Sequence, residues 1–364
     1  MEKAYLTRYL QTFRSYRSDS PWSYENGIVL LGAKDLFEAT HDVFYRDFVV
    51  KFLDDSIDEN GRIKNFHIDE YNIDNIQMAT VLFAAYGWTK KEKFLKAIEQ
   101  SYEQLKTHPR TPSGNFFHKL KYPNQVWLDG LYMGQPFYVS YGLMKKDEAI
   151  LKDSHKQFAN VREYMFDPKS GLYRHGYDES RKMKWSDPKT GCSQNVWSRA
   201  VGWYAMAMVD VYDLVKDHDA SFAHDLASWL KEFFVGMLPW RDAQDSGMWY
   251  QVVDHPEAKG NYLETSGSLM LAYTLMKGAR LGVLPLSYGT LGFETLQGTQ
   301  KKYLKTKDNG AISLGGICQV AGLDDIKRDG SIAYYLSEPI AEDEAKGVAP
   351  LLMALAEATY LKKR

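Results

Sequence analysis

Two stretches of the chain set an ionisable group among tryptophans. They are Trp127-Leu128-Asp129-Gly130-Leu131-Tyr132-Met133-Gly134 and Asn195-Val196-Trp197-Ser198-Arg199-Ala200-Val201-Gly202-Trp203. Each opens an apolar helical run directly after a long polar loop. Asp129 falls in the first turn of its run, with Trp127, Tyr132 and Met133 crowding the same place. Desolvation raises a carboxyl pKa, which is what a general acid at neutral pH requires. An Asp in this position can equally cap the helix by accepting orphan backbone N–H bonds. Arg199 lies between Trp197 and Trp203, where indoles stiffen a guanidinium for bidentate pairing with a carboxylate. Its plainer role is to bridge helix ends. An acid and an anion-holding arginine together suggest chemistry on a small acidic molecule, a sugar foremost.

Asp74, in Tyr71-Asn72-Ile73-Asp74-Asn75-Ile76-Gln77, occupies the equivalent start of another apolar run. Two carboxylates in one pocket drive their pKa values apart, leaving one protonated and one ionised. His118 and His175 follow closely on the turns Ser113-Gly114 and Ser170-Gly171, so each loop is expected to bring one imidazole into the same mouth. A loop histidine is otherwise a surface group. The chain has no HExxH or three-histidine grouping, so no metal site is expected. It also lacks the Gly-x-Ser-x-Gly elbow of serine hydrolases and the phosphate loop of nucleotide binders.

Helical periodicity dominates the elements that must position these residues. A charged amphipathic set covers roughly 3–16, 43–57, 91–107, 148–165, 221–237 and 287–304. A set richer in apolar and small residues covers roughly 22–39, 72–86, 129–146, 196–216, 262–281 and 345–362. The second kind must be buried on most sides, whereas the first has an outer face. Alternation of the two predicts an all-α fold, an (α/α)6 barrel of six helix hairpins with the apolar helices inside. Long outer-to-inner loops carry recurring turns at Asn60-Gly61, Ser113-Gly114, Ser170-Gly171, Ser246-Gly247 and Asn309-Gly310. Strand-like pieces follow, such as Gly247–Val253, predicting short β-hairpins at the end where a ligand site is built. An open helical-repeat scaffold is the rival architecture.

The bulk numbers agree with one catalytic domain over residues 1–364, since no composition break marks a boundary. A net charge of −2 argues against a nucleic-acid or membrane-surface binder. The aromatic share of 14%, with 25 Tyr and 9 Trp, suits a sugar cleft or a large aromatic core. Cys192 and Cys318 form no framework spacing. The opening Met1–Tyr9 lacks the apolar stretch of a secretory leader, which predicts a cytoplasmic protein.

Several segments, taken in order, resemble glycoside hydrolase family 105, the unsaturated rhamnogalacturonyl hydrolases, and more distantly the unsaturated glucuronyl hydrolases of family 88. They are Trp22-Ser23-Tyr24-Glu25-Asn26-Gly27, Asn72-Ile73-Asp74, Trp127–Met133, Arg174-His175-Gly176-Tyr177, Trp197–Trp203 and Lys346-Gly347-Val348-Ala349-Pro350. The resemblance implies an (α/α)6 barrel acting on an unsaturated uronyl oligosaccharide, by hydration of the C4=C5 enol ether. It makes Asp129 the acid/base and Asp74 the second acidic residue. His118, His175, Arg199 and Trp203 match sugar-contact positions. Tyr24, Trp127 and Met133, inside the matched segments, complete the expected substrate-binding set. No cofactor or metal is expected. The alternatives are a sugar epimerase of the N-acylglucosamine epimerase type, which would rely on histidines, and a non-catalytic carbohydrate-binding scaffold.

Overall fold

Apolar side chains at helical spacing form helices wherever the sequence alternates charged and apolar runs. The computed structural model describes residues 2–13 and 21–363. The charged runs become α1 (Glu2–Thr12), α3 (Val43–Ser56), α6 (Glu92–Thr107), α8 (Glu148–Met165), α10 (Ala220–Met237) and α12 (Leu286–Tyr303). The apolar runs become α2 (Tyr24–Thr40), α4 (Asp74–Gln77) with α5 (Leu82–Thr89), α7 (Leu128–Lys145), α9 (Ser198–Val215), α11 (Thr265–Arg280) and α14 (Ala345–Lys362). Each apolar element packs on the next, and α14 packs back on α2, so the ring closes. That closure rules out the open repeat scaffold. The outer helices α3, α6, α8, α10 and α12 lie against inner neighbours, and α1 is tied to α12 through Gln300 and Glu2. The fold is an (α/α)6 barrel.

Helix α9 shows why the ring is internal, for nearly every side chain from Ser198 to Val209 is buried. In α6 the charged residues keep one face outward, and Phe94, Ala97, Ile98 and Leu105 pack inward. Close approach within the ring uses glycine. A Cβ on Gly267 of α11 would lie 2.6 Å from the carbonyl carbon of Ser198 in α9. One on Gly27 of α2 would lie 2.6 Å from the Met78 Cα.

Four expectations need correction. The inner run 72–86 is not one helix: α4 gives way to a 3₁₀ segment, Met78–Val81, before α5. The tightened stretch begins where Met78 backs onto Gly27, so tertiary approach overrides the apolar spacing. The outer run 3–16 ends at Thr12, and 14–16 lie outside the described residues. A further short helix, α13 (Ile332–Ser337), capped by the Ser331 hydroxyl, falls in a stretch expected to be loop. Gly247–Val253 is no hairpin. It makes single bridges, Trp197 to Val252 and Tyr250 to Leu263, because it is wedged between the starts of α9 and α11.

The turns themselves are as expected: Gly61, Gly114, Gly171, Gly247 and Gly310 all have positive φ. They gather beyond the C-termini of the outer helices, the end at which the inner helices begin. Strands β2 (Phe166–Asp167) and β3 (Leu172–Tyr173) flank Gly171, and β5 (Leu304–Thr306) and β6 (Ile312–Leu314) flank Gly310. Strand β1 (Gln125–Trp127) pairs instead with β4 (Gly176–Asp178), joining two different loops beneath the mouth. Strands β7 (Ile317–Cys318) and β8 (Ile340–Ala341) close the other side.

Candidate active site

The first turns of the inner helices and the loops above them enclose a cavity of about 520 Å³. Helix α2 contributes Tyr24, α4 Asp74, α7 Asp129 and Met133, and α9 Arg199 and Trp203. A loop adds His118 and strand β1 adds Trp127. Every expected site residue lines this cavity except His175. Its floor is aromatic: Trp203 stacks on Tyr132 at 5.0 Å and meets Tyr24 edge-on at 6.5 Å. One wall is a second stack, with His118 at 4.4 Å and Tyr122 at 5.0 Å from Trp127. Such faces suit the apolar side of a sugar ring.

Asp74 begins α4 but caps nothing there; its own N–H is held by Asn72 Oδ1 at 3.1 Å. Its carboxylate is ion-paired with Lys119 Nζ at 2.6 Å and lies 3.6 Å from His118 Nε2. Burial pushes its pKa up, but Lys119 and His118 outweigh that and hold it below the usual carboxylate range. Asp74 is therefore held as a carboxylate. His118, almost wholly buried, is pushed by desolvation down to about 4 and is a neutral imidazole at pH 7.

Asp129 sits in the first turn of α7, whose capping position is Trp127, without a side-chain cap bond. Its Oδ2 is buried, accepts no hydrogen bond among the described residues, and lies 3.4 Å from His175 Nε2. His175 is not in the mouth, contrary to expectation. The β1–β4 pairing draws its segment under Trp127, and its carbonyl accepts the Leu128 N–H at 3.0 Å. The imidazole is fully buried behind Asp129, with Nδ1 2.7 Å from the Tyr335 hydroxyl. It thus forms a Tyr335–His175–Asp129 line reaching the cavity from behind.

Arg199 lies over Trp197 at 4.8 Å, as the tryptophan spacing suggested, and is almost wholly buried. Its Nη1 donates to Cys318 O at 2.6 Å and to Ser266 Oγ at 3.2 Å. Behind it the buried Glu264 caps α11, accepting the N–H groups of Ser266, Gly267 and Cys318. Burial disfavours the guanidinium charge, but Cys318 and Glu264 more than restore it. The charge is maintained at the cavity wall with hydrogen-bonding capacity beyond Nη1, as anion recognition needs.

Sequence reasoning missed several lining residues. Lys119 follows His118 directly, and that adjacency was the available signal. Trp197 and Glu25 stand inside quoted segments without having been assigned a place in the site. Burial raises the Glu25 pKa, with Lys346 opposing. Val320, Ala321 and Arg328 arrive from a loop that carries no periodicity. No group of three or more His, Cys, Asp or Glu side chains fit for a metal occurs among the described residues. Nor is any helix there long and apolar enough to cross a membrane.

The family described as Glycosyl Hydrolase Family 88 matches residues 2–362. The chain belongs to that family. A solved glycoside hydrolase from family 105 of C. acetobutylicum is 40% identical, superposes with a TM-score of 0.91, and is matched over 98% of its length and 97% of this chain. The chain is thus a glycoside hydrolase of the family 88 and 105 type. A 24.9 kDa protein in the picA locus of Rhizobium radiobacter is 40% identical over 241 residues, all of that protein and 64% of this chain. The unsaturated rhamnogalacturonyl hydrolase YesR of Bacillus subtilis is 24% identical over 274 residues, 74% of each chain. These likenesses favour a hydrolase over the epimerase alternative.

Proposed function

We propose that this hydrolase releases the 4-deoxy-4,5-unsaturated uronic acid from the non-reducing end of lyase-generated oligosaccharides, with unsaturated galacturonyl-rhamnose as the preferred substrate. The observation that carries this reading is the contrast between the two cavity carboxylates. Asp74 is engaged by Lys119, whereas Asp129 is met by an imidazole. A group that must give up and regain a proton is better served by the second setting. The rhamnose preference draws on the likeness to YesR and to the family 105 hydrolase, and it implies a part in pectin breakdown.

In this mechanism Asp129 delivers its proton to C4 of the enol ether, and positive charge develops at C5 and the ring oxygen. Water adds at C5 and returns a proton to Asp129, leaving a hemiketal. The hemiketal opens at the C5–ring-oxygen bond to a C5 ketone. The hemiacetal left at C1 collapses to the aldehyde, its bond to the glycosidic oxygen breaking to release the neighbouring sugar as an alcohol. His175, backed by Tyr335, orients the Asp129 carboxyl. Ionised Asp74 offsets the developing charge and orders substrate hydroxyls with His118. Arg199 receives the uronate carboxylate, and Trp203, Tyr24, Trp127 and Met133 clasp the ring. Loss of ultraviolet absorbance on incubation with unsaturated galacturonyl-rhamnose tests the reading directly. A steady absorbance, with the disaccharide recovered intact, removes it.

A further inference from the structure

The mouth of the cavity carries two cations to which the proposed reaction gives no part, Lys121 and Arg328. An aromatic stack leads out to the first. Buried His118, beside Asp74, stacks on Trp127 at 4.4 Å, and half-buried Tyr122 stacks on Trp127 at 5.0 Å. Lys121 is exposed and sets its ammonium 5.0 Å over the Tyr122 ring. It makes neither an ion pair nor a hydrogen bond among the described residues. Asp74, whose charge it feels, is already paired with Lys119 at 2.6 Å.

Arg328 reaches the same mouth from the loop before α13. That loop is tied down. Asp324 Oδ1 accepts the N–H groups of Ile326, Lys327 and Arg328, and Asp325 Oδ1 accepts the Lys184 N–H at 2.7 Å. Glycine at 322 lets the guanidinium approach the stack, for a Cβ there would lie 3.0 Å from Arg328 Nη1 and 3.3 Å from the Trp127 ring. The one carboxylate that Arg328 meets is Glu338, at 3.8 Å from Nε, too long for a hydrogen bond. Its terminal nitrogens donate to no acceptor among the described residues. Two accessible cations with unused donors thus stand beside aromatic faces at the mouth. Such donors suit a carboxylate or a sulfate ester, and the rings suit a sugar.

We infer that Lys121 and Arg328 hold an anionic group of the departing chain, the carboxylate of the next uronate along it. The inference rests on the reaction proposed above, in which Arg199 takes the terminal uronate and the sugar next to it, rhamnose, is neutral. In a chain alternating galacturonate and rhamnose, a fragment longer than the disaccharide has its next carboxylate on the third sugar. Longer fragments with the same unsaturated end are therefore used more efficiently than the disaccharide.

Loss of ultraviolet absorbance is followed for the unsaturated disaccharide and for the tetrasaccharide that adds one galacturonate and one rhamnose. The tetrasaccharide should have the higher kcat/KM by about 3–10-fold, the worth of two partly exposed ion pairs, through a lower KM that rises with salt. In Lys121→Met and in Arg328→Met the ratio of the two kcat/KM values should fall, and in the double variant approach one. A ratio near one in the wild type, or an undiminished ratio in the variants, overturns the proposal. Lys121→Met, at an exposed position, decides alone should the Arg328 variants fail to fold. A disaccharide sulfated on its second sugar separates the two anion sources: it should gain less than the tetrasaccharide, and an equal or larger gain overturns the assignment to the third sugar. Steady absorbance with both unsulfated substrates would remove the proposed reaction instead. Titration calorimetry then decides the inference: tighter binding of the tetrasaccharide, lost in Lys121→Met, supports it, and equal or absent binding of the two overturns it.

Discussion

Asp74 and Asp129 are the same side chain at the same place on neighbouring inner helices, and their neighbours give them different chemistry. Lys119 fixes Asp74 as a carboxylate, whereas Asp129 has the fully buried His175 behind it. Had the roles been equal, replacing either would cost alike. The account instead makes Asp129 the group that moves the proton. Asp129→Asn keeps the shape and removes the transferable proton, so turnover should fall by about 10²–10⁴-fold, the usual worth of a general acid/base. Substrate binding should be largely retained. Steady-state and equilibrium binding measurements on the folded variant check this, and near-normal turnover would count against the role. That Asp129 would line the cavity was legible in the sequence because tryptophan neighbours and a helix start coincide there. The place of His175 was not, since it depends on β1 meeting β4 across about fifty residues of chain.

At the scale of elements, the ring is held by close backbone approaches as much as by apolar burial. Gly267 is the clearest case, because its neighbour is the Ser198 backbone and cannot swing aside. Gly267→Ala should lower stability by about 1–3 kcal/mol, the usual cost of overpacking. Chemical denaturation with an unchanged m-value measures it; an unaltered midpoint would mean the helices separate freely. Helix ends were legible to within a few residues, since charged and apolar runs alternate and glycine turns punctuate them. What escaped notice has a common cause. The 3₁₀ break at Met78–Val81 against Gly27, the place of the helix Ile332–Ser337 over His175 and Gln251, and the singly bridged segment Gly247–Val253 all involve contacts between distant segments. Local spacing carries no record of them. The same holds for Arg328 and Ala321, which reach the cavity from an irregular loop.

For the whole molecule, burial of neutral histidines ties stability to pH. His108 and His118 are both pushed by desolvation from 6.5 down to about 4. Below pH 6.5 the unfolded chain takes up protons that the folded chain refuses. Their contribution is therefore complete above pH 6.5 and is lost as pH falls to 4, by about 3 kcal/mol for each group. Glu25, Asp210 and Glu357, whose pKa values burial raises, act in the opposite direction. Removing one histidine isolates its share. In His108→Gln, thermal unfolding should depend less steeply on pH between 6.5 and 4 than in the wild type, and equal slopes would contradict the burial argument. On the proposed mechanism the barrel holds the Asp129 carboxyl against C4 of an enol ether, and that proposal has a direct test. The unsaturated disaccharide is turned over in heavy water beside its saturated counterpart, and both products are read by NMR and mass spectrometry. The account predicts deuterium at C4 of the uronic acid released from the unsaturated substrate and an inert saturated galacturonyl-rhamnose. Efficient cleavage of the saturated disaccharide, or no deuterium at C4, would contradict it and return the site to direct displacement at the anomeric carbon.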